Sequence, residues 1–421
     1  MGLRERECVV TVRRVIVVGA GVVGLSTAWF LQERGIEVVV LDRTDVGADA
    51  SWGNAGWLAP ALTLPLPEPS ILRYGLRSAL TPSSPVYVPP TADVRLLRFL
   101  AGFGRNCTPR RWRHAMTVFV EANRVASDAY DELSRGGLAD RIRTADPFLA
   151  AFVSETDRRN LLDEFEQVRA AGGEVDYDIL DGDTARSIEP LLGDAIRGGV
   201  RIHGQRFVDP PQFLAALAES VRDRGGEIVV GFDADTIRSR VDTAEVVAPD
   251  GTSRSADAVV LATGAHLGEL AGPFGVRTIV QAGRGYSFSV RPTALPKNPI
   301  YFPAQRVACT PLHDRLRIAG MMEFRGPDAP FDPRRVRAIV DATRPLLRGI
   351  DWSARKEQWV GSRPCTPDGL PLVGATRSPR VFVAGGHGMW GVALGPMTGR
   401  MLAAAMTGAP DPLLRAFDPL R

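Results

Sequence analysis

Two glycine-rich segments, more than three hundred residues apart, hold the residues whose spacing could do chemistry. The first lies in "VIVVGAGVVGLSTAWFLQERG", where Gly19-x-Gly21-x-x-Gly24 follows an apolar run and opens a helix-like one. In such a turn the first glycine permits the tight bend. The second lets a diphosphate reach the backbone, and the third lets helix and strand approach closely. Val22 and Val23 then present backbone N–H groups at a helix N-terminus, which carries partial positive charge. Asp42 stands 18 residues past Gly24, where a carboxylate can accept from a ribose hydroxyl, with Arg43 beside it. The set predicts a dinucleotide site. Asp42 disfavours a 2′-phosphate, and the lack of a GxxxxGK[ST] pattern excludes an ATP-type loop. NAD and FAD both fit these residues.

The second segment, "VFVAGGHGMWGVALGP", also reads as strand, glycine turn and helix start. Gly386, His387, Gly388, Gly391 and Val392 lie in it, with a helix expected over 392–406. A flavin has a ring system to hold at its other end, which a second cradle suits. A glycine-rich helix entry serving only tight packing is the competing use.

Cradles of this kind need a parallel sheet beneath them. Continuous apolar runs at 15–18 and 36–41 predict buried strands around a helix at 22–33 that Gly35 ends, forming one βαβ unit. A second βαβ-like unit is expected over "RFVDPPQFLAALAESVRDRGGEIVVG", with Asp209 capping the helix and Pro210 in its first turn. "DAVVLATGAHLGEL" predicts another buried strand. Residues 58–91 are proline-rich and predict a long loop or lid. "DVRLLRFLAGF" and "FVEANRVASDAYDELSR" predict helices. Residues 281–325 alternate in polarity, which predicts half-exposed antiparallel strands. The expected fold is therefore α/β in an α+β two-domain arrangement. A Rossmann-like dinucleotide-binding domain on a mainly parallel sheet (9–140, 206–280 and 355–408) interleaves with a substrate domain on a mainly antiparallel sheet (141–205 and 281–354).

With 51 basic and 48 acidic residues the net charge is +3, which predicts no bulk attraction to nucleic acid or an anionic membrane. Cys8, Cys107, Cys309 and Cys365 lack paired spacing, so neither a metal site nor a disulfide framework is expected. No apolar run reaches bilayer length, and the charged start lacks a signal-peptide core. These features predict a cytoplasmic protein, with peripheral attachment to the inner face of a membrane as the alternative.

The chain resembles the FAD-dependent D-amino acid oxidase superfamily over nearly its whole length, and within it the bacterial D-amino acid dehydrogenases. The likeness rests on "VIVVGAGVVGLSTAWFL", "SWGNAGWLAP", "FVDPPQFLAAL", "VVLATGAHL", "GRGYSFSV", "RLRIAGMMEF", "WVGSRPCTPDGLPLVG" and "GHGMWGVALGP", in that order. It implies one FAD, held at both ends. Ser51, Gly53, Asn54, Ala55 and Gly56 would follow its diphosphate and ring, Ala234 its adenine, and Ala262, Thr263 and Gly264 its underside. Gly388, Gly391 and Val392 would face the pyrimidine end, where negative charge develops on reduction.

By the same resemblance, Arg363 in "GSRP" would clamp the carboxylate of an amino-acid substrate, for which a planar guanidinium suits. Hydride transfer from Cα would give an imino acid that hydrolyses to a 2-oxo acid and ammonia. Relatives place a tyrosine where Ala308 and Cys309 stand here, so Tyr286 and Tyr301 are the candidates for a second carboxylate contact. Cys365 is offset from the cysteine that binds flavin covalently in sarcosine-oxidase relatives, so non-covalent FAD is expected. His387 falls near the ring and His266 has no expected role. Electrons would pass to a quinone, another carrier or O2. Glycine, sarcosine, hydroxyproline or a 2-hydroxy acid are alternative substrates, and a non-catalytic flavin-binding subunit is the alternative of a different class.

Overall fold

The computed structural model describes residues 12–69 and 81–421; Cys8 and the 70–80 part of the proline-rich stretch lie outside the described residues. The apolar runs meet edge to edge in one sheet. Glu227–Val230, Glu37–Asp42, Arg14–Val18, Ala258–Leu261 and Val381–Gly385 lie parallel in that order, and Leu372–Ala375 closes the edge antiparallel. Their alternate residues face opposite layers. Val15, Val17, Val38 and Val40 pack under helices, while Ile16, Val18, Val39 and Leu41 pack with Ala244, Val246 and Ala256 of a small antiparallel sheet. Burial on both faces is why these strands read as unbroken apolar runs.

On the helical side, Val22–Gln32 packs tightly against Gly391–Met406. A Cβ at Gly399 would lie 2.6 Å from the Ser26 backbone, so only glycine allows this approach. The helix Pro109–Leu133 packs there too, and its Tyr130 hydroxyl donates to the Val392 carbonyl at 2.6 Å. The two ends of the chain are thus locked side by side.

A second, nine-stranded sheet is mainly antiparallel; at one end of it Gln281–Val290 lies between the edge strand Lys356–Cys365 and Arg315–Phe324. The strands of 281–325 are not half-exposed as their alternation predicts; all ten residues of Gln281–Val290 and nine of the ten of Arg315–Phe324 are buried. The polar positions are covered and bonded internally. Ser287 Oγ donates to the Gly53 carbonyl at 3.0 Å, and Arg284 Nη2 to the Ala329 carbonyl at 2.5 Å.

Two other expectations change. The strand Gln205–Val208 is not part of a second βαβ unit in the parallel sheet; it pairs with Trp57–Leu58 and Ile142–Ala145 in a separate three-stranded sheet. Asp209 holds the N-cap position of the helix Pro210–Asp223, yet its carboxylate makes no capping bond. Within the proline-rich stretch, Val86–Tyr87 pairs with Arg315–Phe324, its neighbouring prolines flanking rather than occupying the paired positions.

Candidate active site

The C-terminal ends of the parallel strands open into one cavity of about 470 Å³, where open α/β sheets bind ligands. At the first turn, Gly19 has φ 112, and a Cβ on Gly24 would fall on the Gly19 carbonyl oxygen. Gly21 faces the cavity, and beside it Ser51 Oγ accepts from the Val22 N–H at 3.1 Å. Asp42 ties the turn down: Oδ2 accepts from Ala20 N–H at 2.7 Å and Oδ1 from Thr44 N–H at 2.9 Å.

Both glycine segments line this single cavity. Gly19, Gly21, Val22, Val23, Asp42, Arg43, Ser51, Asn54 and Ala234 contribute, as do Ala262, Thr263, Gly264, Arg363, His387, Gly388, Gly391 and Val392. Five predicted residues lie outside it. Gly24 sits behind the turn, Gly53 packs on the Trp359 ring, Gly56 on Val208 and Pro210, and Gly386 on Thr366 and Leu372. Ala55 lines a second cavity instead.

The cavity is fitted for an anionic dinucleotide with a polar ring edge. Both helices that enter it, Val22–Gln32 and Gly391–Met406, have an N-cap residue that makes no side-chain bond and no acidic residue in the first turn, Ser51 Oγ meeting only the Val22 N–H of the first. Thr263 Oγ1 and His387 Nδ1 are buried without a partner on its walls. Burial pushes the His387 imidazole down to about 3, so it is neutral at physiological pH, and Nε2 pairs with Thr398 Oγ1 at 2.7 Å.

The second cavity, of about 230 Å³, is largely apolar, with Trp57, Leu62, Leu64, Met321, Met322 and Trp390 among its walls. Asn54 and Arg363 line both cavities, so they mark the junction. Arg363 Nη1 donates to the Met321 carbonyl at 2.8 Å. Burial pushes its guanidinium down to about 10, still cationic at neutral pH, and among the described residues it pairs with no carboxylate. A desolvated cation without a counter-ion is costly unless an anion completes it. Met321 (φ 64) and Arg306 (φ 52) hold left-handed backbone on this cavity's wall, a conformation that side chains adopt mainly where the surroundings impose it.

The two tyrosine candidates part here. Tyr301 lines the apolar cavity, its ring edge-on to Trp57 at 5.3 Å. Tyr286 points the other way, into the core beside Phe331, and its hydroxyl donates to Glu323 Oε2 at 2.5 Å. It borders neither cavity, because residue 286 has the opposite parity from Ser287, which faces the Gly53 loop.

Other residues at the site escaped sequence reasoning. His266 borders the dinucleotide cavity, with Nε2 3.1 Å from Arg43 Nη2 and 3.6 Å from Asp328 Oδ1. Arg306 joins Glu164 at 3.3 Å and Glu68 at 3.8 Å on the apolar cavity. Their partners come from distant segments, so no local spacing announces them. The proline-rich run gave the one available signal, since Leu62, Leu64, Leu66 and Glu68 all line that cavity.

A parallel sheet with two helix N-termini on one cavity, joined through an arginine to an apolar cavity, defines a dinucleotide-dependent oxidoreductase of the two-sheet kind. A family model described as FAD dependent oxidoreductase matches residues 14–405, and the chain belongs to that family. The D-amino acid dehydrogenase of Rhizorhabdus wittichii is 31% identical over 413 residues, covering 94% of this chain and 96% of that protein. One from Cereibacter sphaeroides is 32% identical over 409 residues, covering 94% and 93%. Among solved structures, glycine oxidase from Geobacillus kaustophilus superposes with a TM-score of 0.74 at 22% identity, covering 97% of this chain and 99% of that one. Iminodiacetate oxidase from Chelativorans sp. gives 0.71 at 19%, covering 96% and 99%. These two share the fold. The protein is an FAD-dependent enzyme.

Proposed function

We propose that the protein oxidatively deaminates D-amino acids, with Arg363 as the residue that binds and orients the substrate carboxylate. The observation that carries this reading is the place of Arg363: a cationic guanidinium without a carboxylate partner, on the wall common to both cavities. Its fork can hold a carboxylate through two parallel bonds while the adjoining apolar cavity takes the side chain. That fixes Cα at the junction, towards the walls formed by Asn54 and the 387–392 turn. FAD, when bound, accepts the hydride equivalent lost from Cα. The substrate leaves as an imino acid, which water converts to a 2-oxo acid and ammonia. The two carboxylates on the apolar cavity, Glu68 and Glu164, are both paired with Arg306, and none of its described lining residues is histidine, lysine or cysteine, so positioning and desolvation are taken as the chain's contribution there. Trp57, Met321 and Trp390 line the apolar cavity and would keep water from a substrate held there.

The residues around the dinucleotide cavity would hold FAD without a covalent bond. Cys365 is buried in a cluster with Leu96, Phe99 and Met322 rather than on a cavity wall, which supports this. The chain division at 9–140, 206–280 and 355–408 against 141–205 and 281–354 belongs to the same proposal, with the exception that Val86–Tyr87 and Lys356–Cys365, inside the first set, pair into the nine-stranded sheet of the second. The D-configuration and the amino-acid class rest on the two dehydrogenase relatives. Electron delivery to a quinone, another carrier or O2 completes the cycle.

The test is bleaching of the visible flavin absorbance under anaerobic conditions by a panel of D- and L-amino acids, glycine, sarcosine and 2-hydroxy acids. D-amino acids are expected to bleach it fastest. Bleaching by 2-hydroxy acids alone, or by nothing, refutes the assignment.

A further inference from the structure

The apolar cavity is not charged evenly. Arg363 stands on the wall it shares with the dinucleotide cavity, and Glu68, Glu164 and Arg306 stand elsewhere on its lining. Glu68 comes from the proline-rich segment, Glu164 from the helix Glu155–Ala170, and Arg306 from the turn between Ile300–Phe302 and Val307–Leu312. Arg306 Nη2 lies 3.3 Å from the Glu164 carboxylate and 3.8 Å from that of Glu68. One guanidinium thus faces two carboxylates, which leaves a negative charge over. Water widens the imbalance. The Arg306 side chain is 50% exposed, against 22% for Glu68 and 16% for Glu164, so solvent screens the cation more than the anions. Burial raises the Glu164 carboxyl above its ordinary value, Arg306 pulling it back only in part and Glu68 adding to the rise. A second cation at this wall would relieve it.

The strands measure how far this wall lies from Arg363. The Arg363 side chain crosses Gly285, where a Cβ would meet its guanidinium, and ends at the Met321 carbonyl on Arg315–Phe324. From that strand, Ala319 pairs with Ala308 of the next, and Ala308 with Tyr301 of the one after. Two strand spacings put the outer two roughly 10 Å apart. The turn that carries Arg306 joins the farther two. An amino acid held by its carboxylate at Arg363 would run its side chain along apolar walls, Leu62, Leu64 and Met322 among them, towards the two glutamates. A methyl or isopropyl group stops short of them. Three or four methylenes ending in an amine or a guanidinium reach.

We propose that Glu68 and Glu164 form a subsite for the cationic end of a substrate side chain, so that the enzyme prefers D-amino acids of the lysine and arginine kind. The inference rests on the assignment of Arg363 to the substrate carboxylate and adds a second anchor at the opposite end of the molecule. Charge sign separates it from the alternatives. An acidic side chain has only Arg306 to meet, and two carboxylates already hold that guanidinium. A neutral chain of equal length fills the apolar part of the cavity and leaves the surplus negative charge unanswered. Arg306 acts as a positioning residue: it gathers one glutamate from the proline-rich segment and one from a helix onto the same wall. A substrate tied at both ends has little freedom to turn, which fixes Cα at the junction.

The holoenzyme is reduced anaerobically with D-lysine, D-arginine, D-norleucine, D-alanine and D-glutamate. D-lysine and D-arginine are expected to exceed D-norleucine in kcat/KM by about ten- to a hundredfold, mostly through KM, with D-glutamate the poorest. Glu164→Gln and Glu68→Gln should each lower the ratio of D-lysine to D-norleucine. Arg306→Gln should raise it, a gain that a merely structural ion pair would not produce. Flavin content and thermal unfolding report whether each variant folds; where one does not, the parent's ratio and the other variants still decide. A parent ratio near or below one, a preference for D-glutamate, or an unchanged ratio in both folded glutamine variants overturns the subsite. Reduction by D-alanine and D-norleucine with no advantage for D-lysine removes this inference alone. No reduction by any D-amino acid removes the assignment of Arg363 to a D-amino acid as well.

Discussion

Replacing Arg363 by methionine keeps much of the side chain's bulk and removes its charge and its fork. The carboxylate of the substrate would lose two charge-assisted hydrogen bonds, each worth roughly 1.5–3 kcal/mol. The sum, about 3–6 kcal/mol, predicts a fall in kcat/KM of roughly a hundred- to ten-thousand-fold. Stability should hardly change. The Met321 carbonyl loses the donor now 2.8 Å away, at a cost of about 1 kcal/mol, while the protein no longer desolvates a cation that lacks a carboxylate partner. The assay is anaerobic reduction of bound flavin by a D-amino acid, alongside thermal unfolding and flavin content. Arg363→Lys should recover only part of the activity, since an ammonium supplies a point charge rather than two parallel donors. Kinetics within about twofold of the parent in Arg363→Met, with flavin retained, would refute the clamp. Loss of flavin with loss of activity would instead assign Arg363 to the cofactor, which its place on both cavities makes a real alternative.

Two further outcomes separate structural from catalytic roles. Tyr286→Phe removes the donor to Glu323, which is fully buried, and should cost about 1–3 kcal/mol in chemical denaturation with kcat/KM unchanged; a selective rise in KM would restore it to the site. His387 has a folded pKa of about 3, depressed by burial from 6.5, so the unfolded chain takes up a proton that the folded one refuses. Its contribution is complete above pH 6.5 and is lost as pH falls towards 3. His387→Gln should therefore shrink the stability difference between pH 7.5 and pH 5 by about 2 kcal/mol, read from urea unfolding. An unchanged difference would mean that His387 titrates normally.

The dinucleotide half of the site was legible because its requirements are local. A tight turn, a helix start and an acid at the end of the next strand must follow one another in the chain, and Gly19, Gly21, Val22 and Asp42 do so. The antiparallel sheet was legible in type but not in burial. Alternating polarity at 281–325 ordinarily means one wet face. Here Ser287 and Thr310 bond to the backbone of Gly53 and Ala55 instead of water, so the polar face is a joint with the loop that reaches the cofactor cavity. The same parity that put Ser287 on that joint turned Tyr286 into the core, a distinction no motif carries.

Why two distant glycine segments serve one cavity is likewise a matter of packing that the sequence only hints at. Val381–Gly385 adds beside Ala258–Leu261, which adds beside Arg14–Val18, so both turns leave the same sheet edge. The helices that follow are pressed together at Gly399, and the Tyr130 hydroxyl holds the Val392 carbonyl. Their N-termini then share one direction and one cavity, and their partial positive charges act on the same bound molecule. Separating the helices, as a side chain at residue 399 must, should weaken both ends of the cofactor site together, although residue 399 lines neither cavity.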